Sequence, residues 1–313
     1  MSKKVLITGS SGLVGTAFTK IASQYKNYEF IYSTSEVCNL ANYEETLTYF
    51  TKIKPSMVIH LAANVGGLYK NMNYKVEILE KNLLINFNVL KCCYLLNVEK
   101  CICMLSTCIF PDDTTYPIDE TMLHDGPPHN SNYAYAYAKR IMEIHCRSYN
   151  EQYKTNFSCI IPTNIYGPND NFSLEDGHVI PSLIHKCYLA KKLGIPFEVR
   201  GTGKPLRQFI YSEDLAKVIM ELLEKITCEN IIISPNEEYS ISDVSTLIAK
   251  EFDYDNIIYN DNYSDGQFKK TANNKKMISY ISEKNTVFEF TNIQEGIKTT
   301  VDFFKKNIDK CRK

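Results

Sequence analysis

The 313-residue chain is large enough for one extended core or two fused units, and 44% apolar with 23% charged residues is an ordinary globular balance. A formal net charge of −1 leaves no electrostatic footprint for nucleic acid or an anionic membrane, and no stretch approaches the 18 uninterrupted apolar residues of a membrane span. The eleven cysteines are odd in number and contain no CxxC pair or Cys/His set at zinc spacing, so no metal site and a reducing, cytoplasmic compartment are expected.

The N-terminus, MSKKVLITG, reads as the start of a strand, without the apolar run and cleavage pattern of a secretion signal. From there, short β-rich runs alternate with longer amphipathic ones. VLIT (5–8), YEFIY (28–32), SMVIHLA (56–62), CICMLS (101–106) and FSCIIP (157–162) are predicted strands. Helices are predicted near 12–26, 42–54, 70–97 and 132–152. Such alternation implies a parallel sheet covered by helices on both faces, a doubly wound α/β (Rossmann-type) fold. Cys92, Cys93, Cys101 and Cys103 fall on a helix and a strand and are expected to pack as small hydrophobes.

The first strand-to-helix turn reads TGSSGLVG, residues 8–15. Gly9, Gly12 and Gly15 divide three tasks: turning the chain, letting backbone approach a pyrophosphate, and seating the helix on the sheet. With Ser10, Ser11, Leu13 and Val14 they form a candidate dinucleotide cradle at a helix N-terminus. Strand two ends in Ser33, Thr34 and Ser35, with Glu36 one step later. Small hydroxyls tolerate a ribose 2′-phosphate where an acid would repel it, so NADP is favoured, with Glu36 the opposing sign.

YAYAYAK, residues 133–139, alternates like a strand but continues as a helix. Ala134, Ala138, Ile141, Met142 and His145 share one helical face, and Ser131 and Asn132 are N-cap candidates, which predicts a helix over 132–151. Tyr135 lies four residues before Lys139 and shares its face, whereas Tyr133 and Tyr137 point elsewhere. A cation ~4 Å from a phenol at an effective dielectric of ~20 contributes about 4 kcal/mol, up to roughly 3 pKa units. On that count Tyr135 is expected near neutrality, as a proton-transfer group for a carbonyl or alcohol.

Taken together, TGSSGLVG, HLAANVGG, STCIFP, YxxxK and PTNIYGPNDNF resemble the extended short-chain dehydrogenase/reductases. GPPHNSNYAYAYAKR, DGHVIPSLIHK, GTGKPLRQFIYSEDLA and SDGQFKKTA narrow the resemblance, over nearly the whole chain, to the GDP-4-keto-6-deoxymannose epimerase-reductases. The resemblance implies a GDP-sugar 4-ketone as substrate, epimerised at C3 and C5 and then reduced at C4 by NADPH to GDP-L-fucose. A C4 ketone acidifies both neighbouring carbons, so one base and one acid can serve both positions.

Further roles follow from the resemblance alone. Cys108 matches the epimerisation base, His178 the acid that reprotonates carbon, and Ser106 the partner of Tyr135 at the carbonyl oxygen. Lys139 would both tune Tyr135 and bind the nicotinamide ribose. Ala62, Ala63, Leu105, Pro162, Thr163, Asn164, Ile165 and His178 match cofactor contacts, and Lys186, Arg200, Arg207 and Asp265 match sugar-nucleotide contacts. Arg200 stands where the family commonly has Trp; a planar guanidinium can stack on a base and also bond phosphate. Residues 1–168 are expected to bind NADP, and 169–313 mainly the substrate, with segments returning to the first unit. The resemblance also implies a homodimer through the helices near 70–97 and 132–152. A stretch at 293–304 reads as a closing amphipathic helix.

Other functions stay open. Another NAD(P)-dependent sugar-nucleotide enzyme is one, but dehydratases generally show Thr-Asp-Glu where this chain has Ser106-Thr107-Cys108, and UDP-sugar 4-epimerases lack the Cys/His pair. A non-catalytic NADP-binding sensor is the other, against which Ser106, Tyr135 and Lys139 all stand.

Overall fold

The computed structural model describes residues 2–263, 265, 269–282 and 288–312, so within the SDGQFKKTA stretch positions 264 and 266–268 lie outside the described residues. In chain order the first half comprises β1 (Lys3–Thr8), α1 (Leu13–Ile21), β2 (Tyr28–Ser33), α2 (Tyr43–Ile53), β3 (Met57–His60), α3 (Leu68–Asn73), α4 (Lys75–Leu95), β4 (Lys100–Met104), α5 (Tyr133–Tyr153) and β5 (Phe157–Pro162). The second half comprises β6 (Asn164–Tyr166), α6 (Val179–Leu193), β7 (Phe197–Arg200), β8 (Leu206–Arg207), β9 (Phe209–Tyr211), α7 (Ser212–Leu222), β10 (Asn230–Ile233), β11 (Tyr239–Ser240), α8 (Ile241–Glu251), β12 (Ile257–Asn260), α9 (Lys275–Ile281) and α10 (Ile293–Asn307).

The main sheet has six parallel strands in the order β10-β5-β4-β3-β1-β2. The chain runs outward from β1 to β2, then crosses β1 to lay β3, β4 and β5 on the other side. The reversal places a crevice at the carboxyl end of β1, where open α/β sheets bind ligands. Register aligns that edge, because Thr8 pairs with both Ser33 and His60, and His60 with Cys103.

Alternation along the strands explains their unbroken apolar composition. Val5, Ile7, Ile59, Ile102 and Ile160 face a core shared with α1, α7 and α9. Leu6, Val58, Cys101, Cys103 and Cys159 face the opposite core beneath α2, α4 and α5. Both faces are buried, so neither can be polar. The thiols pack as the sequence suggests: Cys92, Cys93, Cys101 and Cys103 are all fully buried, with the Cys101 and Cys103 sulfurs 3.7 Å apart.

Several boundaries differ from the sequence expectation, among them the helix expected over 12–26, which ends at Ile21, and the strand expected over 56–62, which ends at His60. The single helix expected over 70–97 is two, broken at Tyr74, whose backbone leaves the helical region. The expected strand at 101–106 ends at Met104, which releases Leu105 and Ser106 into a loop. The closing helix α10 appears as expected, burying Ile293, Ile297, Val301 and Phe304. It belongs to a third apolar cluster with α6, α8 and β7, including Phe172, Ile184, Phe197 and Ile248. β10 returns from residue 230 to complete the main sheet beside β5.

Candidate active site

The glycine turn leaves the carboxyl end of β1. Gly9 has φ +70°, and a Cβ there would stand 2.7 Å from the Ala62 Cα and backbone N. A Cβ on Gly15 would lie 2.4 Å from the Ser10 Cα, so Gly15 lets α1 sit on the turn. A Cβ on Gly12 meets only the Gly9 carbonyl, at 3.2 Å, so this glycine faces open space at the N-cap of α1. Ser10 donates its backbone N–H to the Ser33 carbonyl, joining the turn to the end of β2. The Ser33 side chain is buried, with the Tyr49 phenol beside it. Thr8 and His60 lock the adjoining strand ends at 2.8 Å, and the Thr8 hydroxyl accepts from the Ala62 N–H. The unblocked helix N-terminus suits the diphosphate of a dinucleotide.

The next strand end carries the reactive groups. Beyond β4, the Leu105 N–H donates to the Ile160 carbonyl, and Ser106 then caps a single turn at Thr107–Ile109. The Ser106 hydroxyl accepts from the Cys108 N–H at 3.4 Å, which fixes both side chains on one short turn. Arg140 on α5 clamps that turn through Nε to the Ile109 carbonyl and Nη1 to the Gly126 carbonyl. α5 itself begins one residue later than expected. Asn132 holds the N-cap position, but its side chain makes no capping bond and its buried Oδ1 lacks a partner.

Tyr135 and Lys139 share a face of α5, as their spacing requires, with Nζ 5.7 Å from the ring centre. The expected acidification of the phenol does not occur. Burial, with the nearby Cys108 sulfur, pushes the Tyr135 pKa well above the ordinary range. The reason is geometric: Lys139 donates to the Met104 carbonyl at 2.7 Å, lying over the ring rather than at the oxygen. Burial also brings Lys139 down to about 8, against the pull of Cys103, Cys108 and Cys159. The Cys108 thiol is raised by burial, while Ser106, Lys270 and Lys139 draw it back.

These interactions join Ser106, Cys108, Tyr135 and Lys139 in one cluster. His178 sits elsewhere in the bond network, at the exposed N-cap of α6, where its charge acts on the buried Asp170. Its loop folds back on the segment after Ala62 and Ala63: a Cβ on Gly67 would lie 2.9 Å from the Asp176 carbonyl. Pro162 ends β5, and the Thr163 N–H donates to the Ile233 carbonyl while its hydroxyl is buried and unpartnered. Asn164 donates to the Gln208 carbonyl, and Ile165 joins the core beneath β1.

The four sugar-nucleotide candidates form two neighbouring pairs. Burial and the like charge of Arg200 both lower the Lys186 pKa, and Arg200 lies 4.7 Å over the Tyr263 ring. Burial lowers that of Arg207, which Tyr116 and Asp265 offset. Both Asp265 oxygens are held by Thr202, through its N–H at 2.7 Å and its hydroxyl at 2.6 Å, so this carboxylate braces the Gly201–Gly203 turn. The sequence reading missed Lys270, Asp170, Arg140 and Tyr263. Nothing local in the sequence brings Lys270 to Cys108, and Asp170 carries no sequence signal of its burial.

Residues 5–241 match the NAD dependent epimerase/dehydratase family. A GDP-L-fucose synthase of Dictyostelium discoideum is 50% identical over 99% of this chain and 98% of its own length. A probable GDP-L-fucose synthase of Drosophila melanogaster is 41% identical over 99% of this chain and 100% of its own. The crystal structure of a GDP-L-fucose synthetase from Naegleria fowleri bound to NADP superposes with a TM-score of 0.94, at 42% identity, covering 99% of this chain and 95% of that one.

Proposed function

Because the chain belongs to the NAD dependent epimerase/dehydratase family, we propose that it converts GDP-4-keto-6-deoxy-D-mannose to GDP-L-fucose, with NADPH as reductant. The observation that carries this reading is the convergence of Ser106, Cys108, Tyr135 and Lys139 beyond β4, next to the glycine turn. NADP is held by the turn from Gly9 to Gly15, by Ser33, and by the strand ends at Ala62, Ala63, Leu105 and the 162–165 segment. When bound, it supplies the hydride for C4.

The remaining chemistry belongs to side chains. In epimerisation the Cys108 thiolate takes the proton from C3 or C5; the C–H electron pair moves into an enolate, and an S–H bond forms. Ser106 and Tyr135 hydrogen-bond the oxygen that gains charge. His178 then returns a proton to carbon from the opposite face, which inverts the centre. In reduction, Tyr135 gives its phenolic proton to the C4 oxygen. A high phenol pKa suits an acid that must hold its proton until the alkoxide forms. Lys186, Arg200 and Arg207 supply positive charge for the diphosphate, and the Arg200 plane, already stacked on Tyr263, provides a surface for guanine.

Residues 1–168 form the cofactor unit and 169–313 mainly the substrate unit, β10 being a segment that returns to the first. The protein works as a cytoplasmic homodimer. In support, no helix among the described residues is long and apolar enough to cross a membrane, and α4 and α5 together expose Leu84, Phe87, Tyr137 and Ile144. Mass spectrometry of the product from GDP-4-keto-6-deoxymannose and NADPH in heavy water tests the function. Two solvent deuterons on carbon and one equivalent of oxidised NADPH are expected; absence of NADPH oxidation sinks the reading.

A further inference from the structure

The segment from Lys269 to Asn273 lies between two halves of the fold and is pinned from both. Lys269 bridges Leu206 of β8, and Ala272 bridges Ile118. The Ile118 N–H donates to the Thr271 carbonyl at 2.9 Å, and the Asn273 N–H to the Ile118 carbonyl at 2.8 Å. The buried Gln208 side chain accepts from the Ala272 N–H at 2.8 Å. A chain held extended in this way alternates its side chains. Lys269 and Thr271 both turn to Glu238, the lysine at 3.4 Å and the hydroxyl through a short hydrogen bond. Lys270 therefore points the other way, into a cavity of about 10 Å³, the space of one water. Thr107, Cys108, Tyr116, His129 and Asn132 line the same cavity.

Two cations act on Cys108, Lys270 across this cavity and Lys139 on α5. Lys139 is committed to the Met104 carbonyl and the Tyr135 ring. We propose that Lys270 is a positioning residue for epimerisation, its ammonium holding the Cys108 sulfur as the thiolate that takes the sugar proton. The inference rests on Cys108 being the base. Burial raises the Cys108 thiol and lowers the Lys270 ammonium, and each charge draws the other back. Thiol plus neutral amine gives thiolate plus ammonium, a transfer within the cavity that creates no net charge there. The other groups facing the pair are Ser106 and Arg140 on the Cys108 side, Tyr135 and His129 around it, and Asp112, Arg207 and Tyr116 beside Lys270.

The test is the pH profile of Cys108 alkylation by iodoacetamide, read by peptide mass spectrometry on the full chain so that the other ten cysteines do not interfere. In Lys270→Met the midpoint should rise by about one pH unit or more, as removal of a nearby buried charge requires. Lys270→Arg, which keeps the charge, should stay within about half a unit of wild type, and Lys270→Gln should follow Lys270→Met. Deuterium incorporation into the sugar at pH 7 should fall about tenfold in Lys270→Met and recover as pH rises through the new midpoint. A Cys108 profile unchanged in both neutral variants overturns the proposal, as does a shift equally large in Lys270→Arg. Undiminished deuterium exchange in Cys108→Ser would instead remove Cys108 as base, while the alkylation shift still reported on the pair.

Discussion

Lys139 donates to the Met104 carbonyl at 2.7 Å while its Nζ stands 5.7 Å from the centre of the Tyr135 ring, so the ammonium is tied to the sheet and lies over the phenol's face. The hydroxyl is thereby left as a proton donor with its proton firmly held. Tyr135→Phe preserves the ring, its packing and the lysine contact, and removes only the O–H. NADPH oxidation should fall by about 10²–10⁴-fold, the usual worth of a positioned acid. Deuterium from solvent should still enter the sugar, because epimerisation transfers no proton from the phenol and Ser106 still hydrogen-bonds the oxygen that gains charge. Reduction persisting near the wild-type rate would be incompatible with the assignment.

Cys108→Ser separates the two half-reactions in the other direction. A serine hydroxyl in the same buried turn has no accessible anionic form near neutrality, so carbon deprotonation should stop. The Ser106 hydroxyl, Tyr135 and Lys139 are untouched, and direct reduction of the unepimerised ketone should remain measurable. The readouts are deuterium incorporation and NADPH absorbance on the same sample; parallel loss of both counts against Cys108 as base.

How much of this was legible in the sequence depended on range. Gly9, Gly12 and Gly15 act within one turn, and their division of labour follows from spacing. The Tyr135–Lys139 face follows from helical periodicity alone. The phenol's pKa does not, because it depends on Met104, a residue on a strand 31 positions upstream, which captures the ammonium that the helix alone would leave beside the ring. Tyr74 breaks the expected long helix although its sequence carries no proline or glycine. Lys270 was hidden for a similar reason: nothing local brings it to Cys108, and bridges to Leu206 and Ile118 do so.

The glycine turn gives a paired prediction. An Ala at Gly15 would drive its methyl into the Ser10 backbone at 2.4 Å, and the stability loss should be about 1–3 kcal/mol, the usual cost of overpacking. At Gly12 the methyl meets only the Gly9 carbonyl at 3.2 Å, so Gly12→Ala should cost less than about 1 kcal/mol. Its methyl occupies the approach to the helix N-terminus, and NADPH affinity should fall by about tenfold or more, roughly 1.4 kcal/mol. Thermal melts and NADPH fluorescence titration distinguish the two. Equal affinity in Gly12→Ala and wild type would move the phosphate site elsewhere.

An apolar groove of about 290 Å³ runs between α4 and α5, lined by Phe87, Ile141, Ile144, His145 and Ser148. Leu84, Phe87, Tyr137 and Ile144 are each 40% exposed or more, an apolar surface of the kind that marks association sites. The proposed homodimer pairs through this face, so in sedimentation velocity wild type should sediment as a dimer and Ile144→Asp as a folded monomer, with helical content unchanged. A variant that sediments as wild type would rule out this face as a dimer contact.

Asp170, on which His178 acts, supplies a pH signature. It is 4% exposed, with one oxygen accepting from the Asn171 N–H and the other buried without a partner. Burial raises its pKa from the ordinary 3.8 to about 6, although His178, the Asn171 N–H and Arg312 pull the other way. The folded state therefore holds this proton more tightly than the unfolded chain. Its contribution is most favourable below the ordinary carboxylate pKa, is lost as pH rises towards 6, and then levels off. Roughly two pKa units correspond to about 3 kcal/mol. Asp170→Asn abolishes the titration, so its stability relative to wild type should improve by about that amount between pH 3 and pH 8, whatever constant offset the new amide introduces. Urea unfolding at several pH values measures the difference directly, since other titrating groups cancel between the two proteins. A stability difference flat with pH would show that Asp170 is not the buried acid described.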